Sequence, residues 1–212
     1  GSSKWGSVRM GLWLSGSYFA VADAVSLHNH DTGRSADALY SFTAFTKTNK
    51  VAYISPNWNG LRAELSAALG EKAAKNTLDA SAQYDAGPWQ LGAGYASQGK
   101  NDQWALRALY QWSQWNLGGY VQRESVTASP HGDSRNIARL ATMYRMGASE
   151  FHLNAGYTQK GGTQSERAKQ YTFAYNYNLS KRTKVYSYYT AIDSASKAKS
   201  ANSLALGVRH NF

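Results

Sequence analysis

Arg9, Arg62, Arg107, Arg139, Arg145, Lys184 and Arg209 each fall in a stretch where apolar and polar residues alternate, and each takes a polar position. Glu64, Asp79, Asp85 and Glu124 take the same positions, among Ser, Asn, Gln and Gly. Side chains along a strand alternate between two faces, so these charges gather on one face. A guanidinium stays ionised at every working pH, and cations on a wet, low-dielectric wall concentrate anions. The pattern therefore points to electrostatic sorting of small solutes rather than to bond-making chemistry.

Other chemistries fit less well. His28 and His30, with Asp31 following, have i,i+2 spacing between the two rings, which puts both on one side of an extended chain. No further ligand is near in sequence, so no metal and no cofactor is expected. An outer-membrane phospholipase would need a nucleophile within reach of a base. Neither His152 nor His210 has an adjacent Ser motif, and no enzyme activity is expected. Nucleic-acid binding is not expected either, because the basic residues are dispersed and form no run.

The chain has 212 residues, a formal net charge of +10, 42% apolar residues and no Cys. The absence of Cys excludes disulfides and Cys-based zinc sites. A mean hydropathy of −0.54 accompanies many Tyr, Trp and Gly and little Pro, which favours strands over helices. No apolar run reaches the roughly 20 residues of a spanning helix.

From residue 59 onward period two dominates. Leu61, Ala63, Leu65 and Ala67 form one apolar row, Trp104, Leu106, Ala108 and Tyr110 another, and Tyr171, Phe173, Tyr175 and Tyr177 a third. A soluble sandwich would hide such rows; a membrane barrel shows them to lipid and wets its inside. The membrane reading is favoured on length, because the segments run to about 10 residues, as tilted spanning strands require. Trp89, Trp104, Trp112, Trp115, Tyr144, Tyr157 and Tyr177 end the apolar rows as interfacial girdles do. Connections also alternate. Short ones are expected at 55–59, 85–88, 113–114, 147–149 and 178–181, and longer ones at 71–75, 97–102, 125–134, 160–166 and 194–202. The expected fold is all-β, a transmembrane antiparallel up-and-down barrel with about 12 strands present, within the range such barrels span. It forms a single domain over 1–212, with a long loop at about 15–49, a length that is usually functional.

Several stretches resemble the Gram-negative general porins, most closely the trimeric porins of beta-proteobacteria. WGSVRMG (5–11), NKVAYISPNWNGLRAELSAALGE (49–71) with its Ser-Pro-Asn-aromatic-x-Gly turn, NYNLSKRTKVYSYYTAID (176–193) and ALGVRHNF (205–212) carry the resemblance. Members of the family have sixteen strands, so the resemblance places residue 1 near the fifth strand and implies that the first strands are lacking here. It also implies an inward-folded loop whose acids, here Asp23, Asp31 and Asp37, join Glu64 and Asp79 opposite wall arginines. Arg9, Arg62, Arg107 and Arg139 are the foremost of these. Where the family often has a further Arg, this chain has Leu12. The implied function is a water-filled channel for small hydrophilic solutes and ions, mildly anion-selective on the evidence of the net charge; the alternative is an outer-membrane barrel enzyme of the phospholipase kind or a substrate-specific channel. The resemblance further implies a homotrimer amid outer-membrane lipid and lipopolysaccharide, with Phe212 as an assembly signal.

Overall fold

The computed structural model describes residues 4–26, 38–40, 48–68, 70, 75–196 and 200–212. Twelve strands form one antiparallel sheet in sequence order. They are β1 (Ser7–Trp13), β2 (Thr48–Ile54), β3 (Leu61–Ala68), β4 (Thr77–Ala86), β5 (Trp89–Gln98) and β6 (Asn101–Trp112). β7 (Trp115–Ser125), β8 (Ser134–Met146), β9 (Ser149–Thr158), β10 (Ala168–Asn178), β11 (Thr183–Ser194) and β12 (Ala201–His210) complete it. Strands of 10 to 13 residues, as from β4 to β12, suit a tilted crossing of the hydrocarbon layer. Among the described residues β1 pairs only with β2 and β12 only with β11. In hydrocarbon an unpaired edge leaves backbone donors and acceptors unsatisfied, so both strands present rows that call for partners.

The alternation holds in space. Leu140, Leu204 and Leu206 are 71–75% exposed on the outer face, whereas Thr158, Gln170, Thr172, Asn176 and Thr190 are fully buried on the inner one. This inverts the soluble rule, because the apolar side is the one left for lipid.

One rim carries the tight connections. At the β2–β3 turn the Asn57 Oδ1 accepts from the Gly60 amide at 2.7 Å, and the Ser55 Oγ accepts from the Ala63 amide at 2.9 Å. Asn59 and Gly60 both take positive φ, which is why the motif ends Asn-Gly. The opposite rim carries longer connections at 126–133 and 159–167. The expected longer connection at 97–102 is instead a two-residue turn, Gly99–Lys100, because β5 and β6 stay paired to Gln98 and Asn101.

Between β1 and β2 the chain leaves the wall. A short helix, α1 (Gly16–Tyr18), continues into a π-helical turn, Phe19–Asp23, and packs on the inner faces of β4, β5 and β6.

Candidate functional site

Register places three of the four foremost arginines in line. Arg62, Gln83, Gly92, Arg107, Tyr120, Arg139, Gly156 and Gln170 sit opposite one another in succession from β3 to β10. Arg62 is exposed; Arg107 and Arg139 are buried. The Arg107 Nη2 donates to the Leu91 carbonyl at 3.0 Å and lies 3.8 Å from Asp85. The Arg139 Nη2 donates to the Gln170 Oε1 at 2.5 Å, while its buried Nε and Nη1 have no hydrogen-bond partner.

The segment after β1 covers this row by a physical fit. A Cβ on Gly92 would overlap the Ala20 carbonyl oxygen, and one on Gly94 would overlap Ser17. The two glycines thus notch the wall where the covering backbone lies. Asp79, expected to face solutes, is instead buried and accepts from the Ser17 amide at 3.1 Å, anchoring α1. Ala20, Val21, Ala22 and Val25 then cluster with Leu109, Tyr120, Ile137 and Tyr40. Tyr40 meets Tyr120 edge-on at 5.6 Å and Tyr18 at 5.8 Å. Burial, with Tyr120 and Asp79 nearby, pushes the Tyr40 phenol well above its ordinary value, so it stays a neutral part of this packing.

Arg9 lies apart, two strands and two register positions from Glu64, with its guanidinium 3.4 Å from Glu64 and 4.0 Å above the Trp13 ring. The Lys50 Nζ lies 5.0 Å from the centroid of the same ring and donates to the Leu14 carbonyl at 3.2 Å. Toward the short-turn rim, Arg145 pairs with Glu150 at 3.2 Å, and the Asn176 amide donates to Glu150 at 3.2 Å. Lys184 and Arg209 face each other across β11 and β12. Asp23 is exposed on the π-helical turn. Asp31 and Asp37, with His28 and His30, lie outside the described residues. Phe212 is fully exposed, its ring 4.8 Å from His210.

Sequence reasoning missed a second buried centre. Glu124, fully buried, is paired with Arg135, and it also accepts from the Thr163 hydroxyl at 2.9 Å and the Thr163 amide at 3.3 Å. Arg135 donates onward to Thr158 at 2.8 Å and to Thr163 at 3.2 Å. The 159–167 loop is thereby pinned to the wall, and a Cβ on Gly162 would strike the Glu124 carboxylate. Arg135 shares the polar parity of Ile137 and Arg139; extending that count by one pair would have found it.

A sequence model of the family described as Gram-negative porin matches residues 2–197. The chain belongs to the Gram-negative porin family. This porin accordingly resides in the outer membrane of a Gram-negative bacterium. It is 28% identical over 189 residues to outer membrane porin protein 32 of Delftia acidovorans, covering 78% of this chain and 51% of that protein. The chain thus spans about half the length of that curated relative. Among solved structures, a porin refined at 1.8 Å resolution superposes with a TM-score of 0.69 at 15% identity, over 100% of this chain and 79% of that one. The in-vitro folded outer-membrane protein OmpT of Vibrio cholerae, in its trimer form, gives 0.69 at 13% identity, over 97% and 74%. At such identities these two likenesses speak for the fold.

Proposed function

We propose that this porin forms a water-filled channel for passive diffusion of small hydrophilic solutes and ions, with a mild preference for anions, and that it works as a homotrimer without catalysis. The observation that carries the reading is the charge balance of the inner face. Among the described residues, Glu64 is taken by Arg9, Glu124 by Arg135 and Glu150 by Arg145, while Asp79 holds α1. Arg62, Arg139 and Lys184 have no carboxylate within ion-pair distance in any described pair. A wall with surplus fixed cations raises the local anion concentration and disfavours cations.

The trimer reading draws on the trimer form of the Vibrio cholerae relative. Against a lipid hydrolase, His152 stands on the inner face beside Asn176 and Glu150, away from lipid. The outer His210 bonds the Thr183 hydroxyl at 2.8 Å, with no described third group to orient the ring. The exposed Phe212 supports its reading as an assembly signal; deletion should lower the yield of folded protein in the outer membrane, and unchanged yield would count against it.

Reversal potential across a salt gradient in planar bilayers tests the channel. An anion-preferring potential is expected, and a clear cation preference would overturn the selectivity.

A further inference from the structure

The short-turn end of β11 and β12 holds a group that passive sieving does not need. Lys184 and Tyr186 take inner positions on β11, and the register puts Arg209 opposite Lys184 and Gly207 opposite Tyr186. Like charges directly opposite one another destabilise a sheet. The only acidic side chain on the inner face of β8 to β12 is Glu150. It is taken up by Arg145 and by the Asn176 amide, each at 3.2 Å. Lys184 has no carboxylate within ion-pair distance in any described pair. Two facing cations thus stand at a cost that a bound anion would relieve.

Beside them lies an aromatic platform. A Cβ on Gly207 would come 2.5 Å from the Tyr186 hydroxyl oxygen and 2.6 Å from its Cζ. The ring therefore lies along the wall, over backbone that carries no side chain, and it stays half-buried. The buried Tyr188 ring, 6.4 Å away between centroids and only 16° from parallel, fixes its tilt. Two residues along a strand span about 7 Å at roughly 3.3 Å each, so one small molecule can meet both the cations and the ring.

We propose that Tyr186, Lys184 and Arg209 form a subsite for a planar aromatic carboxylate of the benzoate kind. The solute ring stacks, offset, on Tyr186, and its carboxylate accepts from the Lys184 ammonium and the Arg209 guanidinium. One ring and one cation pair match one ring and one carboxylate. The row of Arg107 and Arg139 lacks this combination, because Tyr120 between them is buried. Short turns mark the periplasmic rim of a barrel, so the subsite lies at the inner mouth. The proposal rests on the inner face being the wet wall of a channel.

The test is equilibrium binding of benzoate to the intact protein, purified from outer membranes in detergent, by saturation-transfer NMR titration. Cyclohexanecarboxylate, benzamide and inorganic phosphate are the comparison compounds. Benzoate should bind saturably, and each comparison compound about tenfold more weakly, the scale of one lost contact. Tyr186→Leu and Lys184→Gln should each weaken benzoate binding about tenfold. Lys169→Gln, on the outer face opposite Asp193, should bind as the parent does. The comparison compounds act on the unaltered protein, which keeps the test valid if a variant fails to fold. Parent-like binding by Tyr186→Leu, or any comparison compound binding as tightly as benzoate, would overturn the subsite. Conductance recorded on the same samples separates that outcome from failure of the channel reading.

Discussion

Strand β8 ends in two arginines on the same inner face, and the two have opposite fates. Arg135, at the long-connection rim, pairs with Glu124; their side chains are 6% and 0% exposed. Arg145, at the short-turn rim, pairs with Glu150 and stays 54% exposed. Residue type, parity and partner type are the same. The difference lies in what packs on top: the 159–167 loop seals the first pair through Thr163, and water reaches the second. Ion pairs on one wall thus divide into a buried clasp that holds a loop and a wet pair that faces solutes.

The sharpest way to break the comparison is Glu124→Gln. It leaves the Arg135 charge buried without its partner, a loss of about 3–5 kcal/mol. Heat-modifiability on gels should shift to lower temperature, and proteolysis should open the 159–167 loop. A smaller effect is expected from Gly92→Leu, which fills the notch under Ala20. Overpacking of this kind costs about 1–3 kcal/mol. The covering segment should leave the wall, and single-channel conductance should rise; unchanged conductance would mean that the segment does not narrow the path. Arg145→Gln should change stability by less than about 1 kcal/mol, because an exposed pair is screened. It should nevertheless lower anion preference in the reversal potential, an effect that fades at high salt. The smallest change is expected from Arg9→Gln, an exposed cation stacked on Trp13 and paired with Glu64, with about 0.5–1 kcal/mol at stake in the stacking. Thermal melting should barely move.

Reading the chain for period two located the strands from residue 59 onward, because alternation is a local property of extended backbone. The same alternation assigned Leu61, Leu106 and Leu153 to one face and Arg62, Arg107 and His152 to the other, as the register confirms. Turn chemistry at Asn57–Gly60 was equally legible, since Asn and Gly supply its positive φ locally. The turn at Gly99–Lys100 was less so, because polar residues around it resemble a loop until pairing extends the strands.

Burial was not legible. Gly92 and Gly94 read as ordinary strand glycines, and only the arrival of Ser17 and Ala20 from a distant segment shows why a side chain is excluded there. Asp79 reads as one more polar wall position, yet the Ser17 amide claims it. The sequence by itself determined which side chains face inward and which face lipid, because parity is set by each residue's immediate backbone. Only the tertiary structure decided which inward charges are sealed and which stay wet, because that depends on chain segments far apart in sequence folding onto the same stretch of wall.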